Sequence, residues 1–263
     1  MNEPTVTLTR SNGLGLLTLN RPQAGNTINM AMARELEAQV DQAIADPAIR
    51  ALALTGAGRL FCGGGDISAF SAAGDWAGDF LFEIAHALHR SVKKLAVMDK
   101  PLVTLINGPA AGAGLSLAIS GDLVLVAPSA HFTAAYGGVG LTPDGGASWL
   151  LPRVVGLRRA QDMIFTNRRV DAQEAVQIGL VTRLVAQDAL MSEGLAAAYA
   201  LAEGPMNAHG GARALLAASF HQDFASQLDL EAARIAQAGS TAEAQEGIAA
   251  FLERRKPDFV RTG

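Results

Sequence analysis

Two glycine-rich turns carry the residues whose types and spacing could do chemistry. The first is Leu60-Phe61-Cys62-Gly63-Gly64-Gly65-Asp66-Ile67, and the second is Asn107-Gly108-Pro109-Ala110-Ala111-Gly112-Ala113-Gly114. Glycine allows positive φ and close backbone approach to a ligand. Amides at such turns, above all at a helix start, direct partial positive charge outward. The two turns could therefore offer N–H groups to one developing oxyanion. They could equally be tight strand–helix connections with no ligand. A dinucleotide fingerprint fits poorly, because Leu117 stands where its third glycine belongs, and no phosphate-loop lysine follows.

Three other positions invite a chemical reading. Asp144 sits in Gly140-Leu141-Thr142-Pro143-Asp144-Gly145-Gly146, where Pro-Asp before Gly-Gly suits the cap of a helix running toward Leu150. His89 shares a helical face with His86 and Glu83 at spacings of three, an arrangement that is often simply solvated. A metal site there would need further ligands, and no companion motif supplies them. Cys62 lacks a paired-histidine motif and is expected to be buried and inert.

The elements that must position these residues alternate. Val6 to Arg10 and Leu14 to Leu19 read as strands joined by an Asn12-Gly13 turn and ended by Arg21-Pro22. Asn29 is the expected cap of a helix with Met32, Leu36, Val40 and Ala43/Ile44 at helical spacing, stopped by Asp46-Pro47. Ala51–Leu54 and Leu102–Ile106 are apolar on both faces, as buried parallel strands are. Trp76 to Lys94 reads as a helix, as does Gly112 to Ser120, and Leu123–Ala127 as a strand. Such alternation predicts an α/β crossover architecture. From Arg158 onward the pattern is almost wholly helical, and Ser240-Thr241 with Glu243 resembles a capping box before Ile248, Phe251 and Leu252.

Composition narrows the classes. The chain has 263 residues, 49% of them hydrophobic, and a net charge of −4. With no Lys/Arg block, neither nucleic acid nor an anionic membrane is expected as main partner. No apolar run nears the ~18 residues of a membrane span. The segment Met1 to Arg10 lacks a signal-peptide pattern, and the single cysteine suits a reducing cytoplasm.

Taken in order, several segments resemble the crotonase superfamily, also called the enoyl-CoA hydratase/isomerase family. They are Asn20-Arg21-Pro22, the Phe61–Asp66 turn, Lys100-Pro101 through Asp122, Leu150 through Gly156, Glu174-Ala175, Gly179-Leu180-Val181 and Glu253-Arg254-Arg255-Lys256-Pro257. The resemblance covers nearly the whole chain. It implies a spiral of ββα units over residues 1–200, carrying an acyl-CoA thioester site. It further implies a helical C-terminal region, 201–263, that builds a homotrimer or a dimer of trimers. By position it places an oxyanion hole on the backbone N–H groups of Gly65 and Ala113, within turns that include Gly63 and Gly112. Asp66, Ile67 and Ser68 would line the CoA thiol arm, and Gln23, Ala24 and Thr27 would lie near the CoA nucleotide. Trp76, Phe80 and Phe82 fall in a stretch that covers the acyl pocket in this family, although core packing would use the same residue types. No metal and no cofactor beyond the CoA of the substrate itself is implied.

The acid/base residues then select the reaction. A typical hydratase of this family has one glutamate in the helix after the second turn and another about twenty residues later; here Ser116 and Tyr136 occupy those positions. The run around Asp144 resembles the 1,2-epoxyphenylacetyl-CoA isomerase branch, as does Leu228-Asp229-Leu230-Glu231. This implies double-bond migration with Asp144 as a single acid/base. A second resemblance competes with it. His89, Tyr136 and Asp144 align with a histidine, tryptophan and aspartate of the 4-chlorobenzoyl-CoA dehalogenase branch, implying Asp144 as nucleophile and His89 as the base that activates water. A non-catalytic acyl-CoA-binding protein is a third expectation, raised by the missing glutamates.

Overall fold

A computed structural model describes residues 3–261; the first two residues of the Met1 to Arg10 segment and the last two residues of the chain lie outside them. A six-stranded sheet runs in the order β1-β2-β3-β4-β6-β9, built from β1 (Val6–Ser11), β2 (Leu14–Leu19), β3 (Ala51–Gly56), β4 (Leu102–Ile106), β6 (Leu123–Val126) and β9 (Arg183–Leu184). Within this sheet only the β1–β2 hairpin is antiparallel; its other neighbours pair in parallel. A second sheet of three short strands is ordered β5 (Ala110–Ala111), β7 (His131–Thr133) and β8 (Val170–Asp171). Strand pairs followed by a helix recur, and the chain steps from one sheet to the other as it winds.

The strands form where burial on both faces is possible. All six residues of β3 and all five of β4 are buried, so their polar members need partners. Thr55 Oγ1 donates to the Leu105 carbonyl at 2.9 Å and Thr104 Oγ1 to that of Ala118 at 2.7 Å. Each fully buried Leu or Val contributes about 1.5–3 kcal/mol of transfer free energy.

Helix α1 (Met30–Ala45) starts where expected, with Asn29 Oδ1 accepting the Met32 N–H at 2.9 Å. It buries Met32, Leu36, Val40 and Ala43. At its far end the buried ammonium of Lys100 donates to the carbonyls of Ala43, Ile44 and Asp46, at 2.7, 2.9 and 2.7 Å, which satisfies acceptors the helix leaves open. A short α2 (Ile67–Ala72) leads through a 3₁₀ turn at Gly74–Trp76 into α3 (Ala77–Val97). The helix expected from Trp76 thus begins one residue later and runs three residues past Lys94. It packs along α1, with Arg90 and Lys94 paired to Glu37.

Beyond α4 (Ala113–Ala118) come α5 (Ala147–Val154), α6 (Leu157–Thr166), α7 (Ala172–Gln177), α8 (Leu190–Ala202), α9 (Met206–Ala218), α10 (Phe224–Gly239) and α11 (Ala242–Glu253). The region after Arg158 is almost wholly helical, as expected; β8 and β9 add an edge to each sheet, and both have only two residues, too few for a period-2 pattern. One expectation changes: the capping box is shifted by one. Thr241 is the cap of α11, accepting from the Ala244 N–H, so Glu243 falls one place short. Its buried carboxylate accepts instead from the Asn207 N–H at 3.0 Å, at the start of α9, where a helix end favours negative charge.

Candidate active site

The first turn is built around Asn26, a fully buried residue with φ of 53°. Its amide nitrogen lies 2.9, 2.8 and 3.2 Å from the carbonyls of Ala57, Leu60 and Phe61, and its Oδ1 accepts from the Arg21 N–H at 2.8 Å. Sequence reasoning passed over Asn26. The available signal was Gly25-Asn26, a pair that favours left-handed backbone. The second turn lies directly against the first. Ala111 N donates to the Cys62 carbonyl at 3.0 Å, and Cys62 and Ala110 form a parallel bridge. A Cβ on Gly64, whose φ is +93°, would sit 2.7 Å from the Ala111 carbonyl oxygen. Only glycine allows that approach.

Both turns open on one cavity of about 380 Å³. Gly63, Gly65, Ile67, Gly112, Ala113, Tyr136 and Asp144 are among its lining residues. The backbone N–H groups of Gly65 and Ala113 donate to no acceptor among the described residues. For Ala113 the reason is positional, because it is the first residue of α4 and the opening amides of a helix have no internal partner. The rest of the wall is largely apolar, with Phe70, Leu81, Phe82, Leu88 and Leu141 among its side chains.

Asp144 is the only carboxylate on that wall. Tyr136 Oη donates to its Oδ1 at 2.8 Å, and Ser116 Oγ donates to its main-chain oxygen at 2.9 Å. The Oδ2 atom accepts no hydrogen bond among the described residues; His89 Nε2 lies 4.0 Å from it. Burial, with the Asp144 charge beside it, pushes the Tyr136 phenol well above the ordinary tyrosine range, so it stays a donor. Ala135, another wall residue, has φ of 65°, a conformation costly for alanine that sets the direction of the next side chain. The positions where the family resemblance looks for two glutamates thus hold hydroxyls, and both contact the single aspartate.

His89 is not among the residues that line the cavity. Its Nε2 accepts the Gly145 N–H at 2.9 Å and lies 4.0 Å from Asp144 Oδ2. In the Gly145 contact Nε2 is the acceptor, and 4.0 Å is too long for a hydrogen bond to Asp144 Oδ2. The Nε2 lone pair is thus not free to activate water. His86 stacks obliquely on Phe82, with centroids 4.4 Å apart.

Asp66 and Ser68 are bonded to each other, Ser68 Oγ to Asp66 Oδ1 at 2.5 Å, and Asp66 is also paired to Arg21 at 3.1 Å. The Ser68 hydrogen bond first, and then Arg21, hold the Asp66 carboxyl below the usual range. Neither residue is on the cavity wall, whereas the half-exposed Ile67 between them is. Gln23 and Ala24 are exposed on the 3₁₀ turn Pro22–Ala24, and Thr27 Oγ1 donates back to the Ala24 carbonyl at 2.9 Å. All three belong to the chain segment beside the first turn and do not line the cavity. Of the aromatic residues, Phe82 reaches the wall, Phe80 packs edge-on against Phe70, and Trp76 is 73% exposed. Cys62 is fully buried, its thiol pushed up to about 12 by that burial.

The chain is similar to known proteins over nearly its whole length. The enoyl-CoA hydratase/isomerase family profile matches residues 9–262. A protein of Escherichia coli named 1,2-epoxyphenylacetyl-CoA isomerase is 36% identical over 251 residues, covering 94% of this chain and 95% of its own length. One of Rhodobacter capsulatus named a probable enoyl-CoA hydratase is 36% identical over 260 residues, covering 99% of both. The crystal structure of an enoyl-CoA hydratase from Polaromonas superposes with a TM-score of 0.92 at 30% identity, covering 96% of this chain and 98% of that one. The fold, the paired glycine turns and these matches place the chain in the enoyl-CoA hydratase/isomerase family of the crotonase superfamily.

Proposed function

We propose that this enzyme moves a double bond within an enoyl-CoA thioester, with Asp144 carrying the proton from one carbon to another. The amides of Gly65 and Ala113 would stabilise the dienolate between the two transfers, and no dissociable cofactor enters the reaction. The observation that carries this reading is the solitary carboxylate. Adding water across the double bond asks the site both to activate the water and to deliver a proton to carbon. A shuttle needs one group that gives back what it takes, and Asp144 Oδ2 is open to do so.

The hydrolytic alternative fits less well. It needs His89 to activate water, but Nε2 is engaged by the Gly145 amide. It needs Asp144 as nucleophile, but the Tyr136 hydrogen bond draws charge from that carboxylate. A purely binding role leaves unexplained why Tyr136 and Ser116 both bond to Asp144.

The test is Asp144→Asn, which preserves shape and removes the base. Double-bond migration should fall by about 10²–10⁴-fold, while affinity for the CoA thioester stays within a few-fold. Full migration activity in that variant would eliminate the one-base mechanism. Oxygen-18 from solvent found in Asp144 after turnover of a 4-halobenzoyl-CoA would instead favour the nucleophilic route. We further propose a cytoplasmic homotrimer or dimer of trimers. Exposed apolar side chains on the C-terminal helices support assembly, among them Phe224, Ile235, Phe251 and Leu252.

A further inference from the structure

We propose that His89 is a positioning residue, which with Ser116 clamps the peptide unit between Asp144 and Gly145 and thereby fixes the direction of the Asp144 carboxylate. The inference rests on Asp144 being the acid/base of the site.

The two polar ends of that peptide unit are held from different helices. The carbonyl of Asp144 accepts from Ser116 Oγ on α4 at 2.9 Å, and the N–H of Gly145 donates to His89 Nε2 on α3 at 2.9 Å. A peptide plane gripped at both its oxygen and its hydrogen cannot rotate about the bonds that flank it. Those bonds include the one next to the Asp144 side chain. Gly145 has φ of +60°, and a Cβ there would lie 2.9 Å from Ser116 Cβ, so the segment is pressed onto α4 as well as bonded to it. Tyr136 then fixes the carboxylate itself through Oδ1. The result is one aimed oxygen, Oδ2.

The clamp joins two functions on α3. The same helix contributes Leu81, Phe82, Ile84, Ala85 and Leu88 to the cavity wall. The helix that shapes the acyl pocket therefore also holds the backbone from which the carboxylate projects, so aim and pocket shape change together.

Two variants and one spectrum test this. Glutamine reaches about as far as histidine and can accept at Oε1, whereas leucine cannot accept at all. His89→Leu should lower kcat for double-bond migration by about 10–10²-fold, as displacement of a reacting group does, with KM changed less than about threefold. His89→Gln should recover most of that loss. If the glutamine variant is as impaired as the leucine variant, the imidazole itself takes part in the chemistry and the clamp is wrong; if both match the parent enzyme, the hydrogen bond is immaterial and the clamp is equally wrong. Nitrogen-15 NMR of the histidine-labelled parent protein gives a reading that needs neither variant nor turnover. The clamp requires a neutral His89 protonated at Nδ1, and a proton on Nε2 overturns it. Should the parent enzyme show no migration of any double bond, the proposed reaction fails, while the spectrum still decides whether His89 holds Gly145.

Discussion

The phenol of Tyr136 donates to Oδ1 of Asp144 at 2.8 Å, across a cavity wall that holds no other carboxylate. One oxygen of the aspartate is thereby occupied and the other left open. Replacing Tyr136 by Phe keeps the ring and deletes this contact together with the longer ones from the same hydroxyl, 3.2 Å to the Asp144 main-chain oxygen and 3.5 Å to Ser116 Oγ. Hydrogen bonds to charged groups are worth about 1.5–3 kcal/mol, discounted here because the Asp144 side chain is 30% exposed and water can replace the phenol. A decrease of about tenfold in kcat, with unchanged melting temperature to within ~2 °C, is the expected outcome in steady-state assays and thermal scans. An unaffected kcat would remove Tyr136 from the site's working parts.

Asn26 should matter as much as any cavity residue, although it is not one of them. Asn26→Ala strips the carbonyls of Ala57, Leu60 and Phe61 of a shared donor and places alanine at φ of 53°. Buried groups left unpaired cost about 1–3 kcal/mol each. We expect a loss of about 3 kcal/mol in urea denaturation and a collapse of activity, because the first glycine turn hangs from this side chain. A loss below ~1 kcal/mol would contradict the assigned role.

The histidines give the fold a pH dependence of definite sign. Burial lowers the proton affinity of His131, aided by Arg169, and burial likewise lowers that of His209. Both are therefore protonated more readily in the unfolded chain, whose histidines titrate near 6.5. The unfolded state binds more protons below that value, so stability should fall as pH drops from about 7 toward 5 and should be flat above it. Carboxylates with lowered values, such as Asp66, lose their contribution only at more acid pH. Denaturant midpoints measured at pH 7 and pH 5, with His209→Gln flattening the slope, check this; a midpoint that rises on acidification would refute it.

The exposed phenylalanines of the last helices predict assembly. Phe251 and Phe224 are 83% and 78% exposed in the single chain, a cost that association would relieve. Light scattering should return three or six times the chain mass, and Phe251→Asp should shift it downward. A monomer at micromolar concentration would exclude the assembly.

Much of this was legible in the residues. Buried strands announced themselves as two-sided apolar runs at Ala51–Leu54 and Leu102–Ile106, and the Asn29 cap fell where its side chain demanded. The glycine turns were visible because only glycine meets such steric limits. Less legible were features fixed by distant partners. β8 and β9 are two residues long and exist because a sheet edge is there to receive them. Glu243 misses its own helix cap by one place because α9 offers it another helix end. His89 aligns with a base by resemblance alone; its Nε2 meets the Gly145 amide, fifty-six residues away, and no local pattern encodes that meeting.

The N–H groups of Gly65 and Ala113 on the cavity wall belong to the main chain. Side-chain substitution at Ala113 can crowd its amide but, proline aside, cannot delete it, and the same is true at Gly65. These donors are thus inherited with the backbone, while the polar groups around them on the wall are ordinary side chains, replaceable one codon at a time. A lineage with this scaffold can exchange Ser116, Tyr136 or Asp144 without disturbing these two main-chain donors.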